Sequence, residues 1–343
     1  MSFQRSGKLM KEHIKKQRWI LVLAITLIAV FYYRNTLGDI ASEIRNLPAS
    51  MTIISMLFMV FFYLIEGRLI QFVASGYASG NGLSWAKGTS IAYIGGFYRL
   101  LTMGAAAGPA EIYYLYREDI PISRATGMCL VKYNIHKMTI TVYGIVSYLV
   151  LSTEMKSILL PYRTYIIIGS LITVLITIIL TGVCTSKKIY KLVIWLLDKI
   201  PLKKEKWKEK ISRLKESILL LQEEGRLLLK DWKKVLWIFL LNLCKLTCYY
   251  LIPAVFLFHR SNIRILNVVP LMAICNMLAG VLPAPSGIGS LEFVFLQLFQ
   301  TLTETDIAAS VILLYRFITW MMPFAIGGIF IVLERKRSAR QSG

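Results

Sequence analysis

Residues 282–292 read Leu-Pro-Ala-Pro-Ser-Gly-Ile-Gly-Ser-Leu-Glu, and the apolar run that follows, Ile307–Leu333, carries Arg316 near its middle. Two prolines and two glycines so close together break a helix, because proline withholds a backbone donor and glycine permits tight turns. Outward from this break, apolar runs stand at 19–33, 51–65, 126–151, 164–183, 235–258 and 307–333. Apolar runs of about 20 residues are the signature of membrane-crossing helices. The chain therefore reads as an all-α polytopic membrane protein. Inside a bilayer, backbone that leaves helical form is tolerated only where protein buries it or a wet cavity lies beside it. The 283–289 stretch is expected to be the tip of a re-entrant, broken-helix hairpin.

The 343 residues include 40 Lys+Arg against 19 Asp+Glu, a formal charge of +21. In a soluble chain that excess would suggest nucleic acid. Here the bases cluster between apolar runs, where the cytoplasmic preference of Lys and Arg accounts for them, and no nucleic-acid partner is expected. The five cysteines, Cys129, Cys184, Cys244, Cys248 and Cys275, lie in or beside apolar runs. They lack the neighbouring ligands of a metal site. No metal or other cofactor is expected. His13, His136 and His259 are the only histidines, and no Gly-x4-Gly-Lys or HExxH motif occurs; hydrolytic chemistry has little material here.

The loops give a topology. Lys8, Lys11, Lys15, Lys16 and Arg18 precede the first run, and no small-residue cleavage site follows it, so it reads as a retained first span with a cytoplasmic N-terminus. The 184–234 segment holds 15 Lys/Arg against 7 Asp/Glu and is expected in the cytoplasm, as is the tail with Arg335, Lys336 and Arg337. The weakly charged 152–163 loop is then outside. Stretches 85–124 and 265–305 must each begin and end on one side, which makes both hairpins. The result is about six crossing helices plus two re-entrant hairpins in one membrane domain, 1–343. Its halves, 51–151 and 235–333, run in opposite senses as an inverted repeat. Gly104–Glu111, with Gly108 and Pro109, echoes Pro283, Pro285, Ser286, Gly287, Gly289 and Glu292. A basic residue follows each Glu inside the next span, Lys132 in the first half and Arg316 in the second. Paired broken helices at a repeat interface are a recurrent transporter plan.

Charged residues within spans are costly and are candidate functional groups. Arg316, Lys245 and Arg99 are candidate binders of an anionic headgroup. Glu292 and Glu111 are their candidate counter-ions, and an Arg316–Glu292 pair that merely locks the hairpin is the competing reading. Lys132 and His136 share a helix face; they either join this set or meet lipid headgroups at the surface. Glu66 and Arg68 read as a solvated pair at a span end. Residues 203–234 carry Ile211, Leu214, Ile218, Leu221 and Leu228 at helical spacing among charges. This basic amphipathic helix is expected either to lie on an anionic leaflet or to pack on the membrane domain.

Leu282-Pro283 through Glu292, with Ala308-Ala309 and Leu313-Leu-Tyr-Arg316, resembles the flippase-like membrane domain of bacterial lysyl-phosphatidylglycerol synthase/flippases, the multiple peptide resistance factor family. Gly108-Pro-Ala-Glu111, Leu115-Tyr-Arg117 and the Ile120–Ala125 turn extend the likeness through the first half. The chain departs from the family pattern at Ser286, where a second Gly is usual. It departs again at Tyr113 and Tyr114, where a basic residue is often found, and at Lys132 and His136, which replace an acid–Arg pair. The resemblance implies translocation of anionic or aminoacylated phospholipid, such as (lysyl-)phosphatidylglycerol, in a bacterial-type cell membrane, often linked to resistance against cationic peptides. It also implies that the chain, ending at Gly343, is a free-standing relative without the aminoacyltransferase half, so a lysyltransferase label would hold by similarity only. A membrane-embedded headgroup transferase, and a non-catalytic partner of a separate lipid-modifying enzyme, are the alternatives. A homodimer is left open.

Overall fold

The computed structural model describes residues 48–75, 82–151, 153–199, 205–229, 231–261, 263–282 and 289–341. The chain divides into a leading unit, Met1–Ala49, and a helical unit, Ser50–Gly343. The expected first span, 19–33, lies outside the described residues, as do Pro283, Pro285, Ser286 and Gly287 of the second hairpin tip.

Among the described residues the architecture is all α. The helices are α1 (Ala49–Ala74), α2 (Trp85–Leu101), α3 (Ala107–Tyr116), α4 (Ile122–Val150), α5 (Thr153–Ile158) and α6 (Arg163–Thr185). They continue with α7 (Lys187–Asp198), α8 (Glu205–Leu229), α9 (Trp232–Ser261), α10 (Ile265–Ala279), α11 (Ser290–Phe299) and α12 (Thr305–Gln341). Segments Ala49–Ala74, Leu160–Val183, Trp232–His259 and Thr305–Arg337 are long and apolar enough to cross a membrane. The expected span 126–151 falls in α4, whose 29 residues give sufficient length but whose composition is broken by Lys132, His136 and Lys137. On α6, exposed Ile168, Leu171, Leu175 and Ile178 form the apolar face suited to lipid.

Short helices fill the two intervals expected to be hairpins. The arms α2 and α3 have 17 and 10 residues, and α10 and α11 have 15 and 10. At 1.5 Å per residue each is shorter than the roughly 30 Å hydrocarbon core. The packing is reciprocal. The long arm of the first pair, α2, lies against α12, whereas the long arm of the second, α10, lies against α4. Helix α1 crosses α2 with almost no space between backbones. A β-carbon on Gly67 would stand 2.5 Å from the Thr89 backbone, and one on Gly88 would stand 2.3 Å from the Gly67 carbonyl oxygen. The Trp85 indole N–H donates to the Leu64 carbonyl at 2.8 Å, and Tyr63 stacks on Tyr93 with ring centroids 4.3 Å apart.

The first hairpin turns at Thr102–Ala106, where Gly104 takes φ +89° and the Thr102 hydroxyl accepts from the Ala106 N–H at 2.8 Å. Gly108 and Pro109, expected in this turn, instead sit in the first turn of α3. Proline is tolerated there because that N–H has no intrahelical acceptor anyway. The basic helix α8 packs against α4 and α6 and buries Leu221, as the packed expectation for it has it.

Candidate functional site

Four helices bring their charged residues together. Glu66 comes from α1, Glu111 from α3, Lys132 from α4 and Lys245 from α9. The Lys132 ammonium donates to Glu66 Oε1 at 2.8 Å and to Glu111 Oε1 at 2.6 Å; the Lys245 ammonium donates to Glu66 Oε2 at 2.7 Å. Lys245 is 3% exposed and lies 5.5 Å from the Phe62 ring centroid. Two carboxylates thus balance two ammonium groups away from solvent. Such a cluster is tolerated only when paired, since stranding one charge costs about 3–5 kcal/mol.

One turn beyond Lys132, the His136 Nδ1 stands 3.2 Å from Asn242 Oδ1. Asn242 donates its own amide to the Ile238 carbonyl at 2.9 Å, which leaves Oδ1 as the acceptor for the imidazole N–H. Asn242 and Lys245 lie one turn apart on α9, so α4 and α9 meet along a polar seam. Tyr143 and Thr247 extend it, their hydroxyls 2.9 Å apart. Lys132 and His136 therefore face the interior; the surface-headgroup reading for them does not hold.

Glu66 is the residue that sequence alone misplaced. It is not the acid of a solvated pair at a span end: α1 continues to Ala74, and the Arg68 guanidinium turns instead to Gln71. Leu69-Ile70 and Phe72-Val73 continue the apolar run beyond Glu66. That continuation was the available signal that the carboxylate lies within a helix.

Arg99, in the last turn of α2, differs from its neighbours. Its side chain is exposed, and it makes no hydrogen bond or salt bridge to a described residue. Glu66, Glu111, Tyr63 and Tyr249 stand within its electrostatic reach. With the lysines and glutamates balanced, Arg99 leaves the group one positive charge in excess.

In the second hairpin, Glu292 serves two elements. It occupies the first turn of α11 and its Oε2 accepts from the Gly289 N–H at 2.9 Å, closing the helix start. Gly289 has φ +81°, which favours glycine. The same carboxylate takes Arg316 of α12 at two points, Nε to Oε1 at 2.6 Å and Nη2 to Oε2 at 2.9 Å. Arg316 also stands 4.9 Å from the Trp320 ring centroid. The structure thus joins Lys132, His136, Lys245, Glu111 and Glu66 in one cluster, and Arg316 with Glu292 in another. Among the described residues no His, Cys, Asp and Glu group is arranged to hold a metal ion.

A multi-pass helical membrane protein with broken-helix arms around an interior charge network is the class this fold and site define. The family description "Lysylphosphatidylglycerol synthase TM region" matches residues 19–327, and the chain belongs to that family. No curated protein matches it.

Proposed function

We propose that the chain translocates an anionic or aminoacylated phospholipid, of the phosphatidylglycerol type, between leaflets, with both termini in the cytoplasm. The observation that carries this reading is Arg99, an exposed guanidinium without a bonded partner beside a balanced, buried Lys–Glu cluster. A phosphodiester carries one negative charge, which is the charge that neutralises Arg99. Arginine suits the role because its planar fork matches two phosphate oxygens.

Beyond Arg99 the cluster offers a path of exchange. Lys132 and Lys245 give up a carboxylate contact only as a phosphate oxygen replaces it, and Glu66 and Glu111 retake the lysines when the lipid leaves. No charge is stranded at any stage, which keeps the several-kcal/mol penalty of an unpaired buried ion out of the path. An amine on an aminoacylated headgroup would find Glu66 and Glu111 as partners in transit. Arg316, held by Glu292, is the corresponding group in the second half.

The test is headgroup accessibility in proteoliposomes, with fluorescent phosphatidylglycerol quenched by dithionite. Arg99→Ala is expected to remove most protein-dependent movement while leaving insertion unchanged. Movement at the wild-type rate would overturn the assignment. Absence of movement in the wild type, with insertion verified, would shift the reading to a headgroup transferase or a partner of one.

A further inference from the structure

Apart from this network, an open cleft of about 950 Å³ lies between the first turns of α4 and α7 and the C-terminal half of α8. Its polar lining is Ser123 and Gln222, the three cations Arg124, Lys187 and Arg226, and the two carboxylates Glu223 and Glu224, which leaves the cleft one positive charge in excess. The cleft is anchored by a close helix crossing. A β-carbon on Gly127 would stand 2.3 Å from the Glu224 Cγ and 2.9 Å from the Leu220 carbonyl oxygen, so α8 reaches α4 only because that residue is glycine. Glu224, at this contact, is 8% exposed and borders the inner wall of the cleft.

Two observations point to a ligand. Gln222 is 7% exposed, yet its amide nitrogen has no hydrogen-bond partner among the described residues. A buried donor left unpaired is unfavourable unless something accepts from it. Lys187 and Arg226 are exposed and make no hydrogen bond or salt bridge to a described residue. Beside these groups, Leu219 and Leu227 line the same cleft and are 39% and 47% exposed.

We propose that the cleft binds the phosphate-bearing headgroup of an anionic phospholipid. Lys187 and Arg226 meet the phosphate, the Gln222 amide donates to a headgroup oxygen, and the acyl chains run along Leu219 and Leu227. A free phosphate ion would use the cations and leave the leucines bare; an amphiphile uses both. Arg124 and Lys132 lie about 12 Å apart along α4, so lipid held here would tie α8 to the helix that carries the network's central lysine. The cleft shares no lining residue with the translocation site and stands independently of it.

The test uses a photoreactive phosphatidylglycerol in phosphatidylcholine vesicles holding the full chain, with crosslinked peptides mapped by mass spectrometry. Crosslinks are expected within 219–227, competed by unlabelled phosphatidylglycerol but not by inorganic phosphate. In K187A/R226A the apparent affinity should weaken by roughly tenfold per lost cation, and Gln222→Glu should weaken it as well. In R99A the cleft crosslinks should persist, which separates this site from lipid movement. Crosslinks unchanged in K187A/R226A, or absent from α8, would overturn the proposal. Equal competition by inorganic phosphate would overturn the lipid identity.

Discussion

Glu292 holds Arg316 by two parallel hydrogen bonds, at 2.6 and 2.9 Å, while also accepting from the N–H of Gly289 that begins α11. One carboxylate thereby fixes the second hairpin's return arm to the last membrane helix. Lysine cannot reproduce a two-point contact, since its ammonium is a single point charge. Arg316→Lys should lower stability by about 1.5–3 kcal/mol, the worth of a lost hydrogen bond to a charged group. Thermal unfolding of detergent-purified protein would measure it. An unchanged midpoint would mean that the hairpin is held elsewhere.

The α1–α2 crossing makes a second prediction, this time about packing. At Gly67 an added methyl meets backbone rather than the end of a flexible side chain: the Thr89 Cα and N both lie 2.5 Å away. Backbone cannot step aside without moving a helix. Gly67→Ala should cost about 1–3 kcal/mol, whereas Gly108→Ala, with nothing within 4 Å of the new methyl, should leave the midpoint unchanged or slightly raised. The comparison of the two melts tests the crossing directly.

Much of this was legible in the sequence, for reasons that can be located. Lys245 stands mid-run, too far from either end for its ammonium to reach the interface, so the sequence alone marks it as a residue facing the interior. Arg316 and Glu292 were nameable as a pair because a Pro/Gly break separates two apolar helices and each carries one charge. Glu66 was not legible in the same way. Arg68 two residues on suggested a span end, and only the extent of α1 and the approach of α4 and α9 show the carboxylate between two lysines. Gly108 and Pro109 look like turn residues by type. Yet the turn is made upstream by Gly104 and the Thr102 hydroxyl, a choice that depends on where α2 ends against α12. Gln222 carried no signal at all, because its burial comes from the Gly127–Glu224 crossing between segments far apart in the chain.

Arg99→Ala is the variant that would separate the proposed transport role from folding. The exposed Arg99 side chain has no hydrogen bond or salt bridge to a described residue, so removing it strands nothing. Arg99→Ala breaks no such bond and should change stability by no more than about 1 kcal/mol, while lipid movement falls sharply. Measuring melting and dithionite accessibility on the same preparation makes the contrast readable. A variant that loses both together would mark Arg99 as structural.

Glu66 offers the sharpest distinction between a structural network and a working one. Its two oxygens each hold a lysine, but the lysines are not equivalent: Lys132 keeps Glu111 when Glu66 is neutralised, whereas Lys245 keeps no carboxylate. Glu66→Gln should therefore destabilise by about 3–5 kcal/mol, mostly through Lys245. Adding Lys245→Met removes the stranded charge and leaves Lys132 balanced by Glu111, so E66Q/K245M should melt higher than E66Q alone, with a coupling energy of about 0.5–3 kcal/mol. Strict additivity in that cycle would show that Lys245 does not depend on Glu66. Transport then divides the two roles. If the cluster serves only to hold α1, α4 and α9 together, the double variant recovers lipid movement as it recovers stability. If lysines exchange carboxylate for phosphate during passage, the restored fold still lacks one of its two exchange partners. In that case E66Q/K245M stays slow at moving lipid despite its regained midpoint.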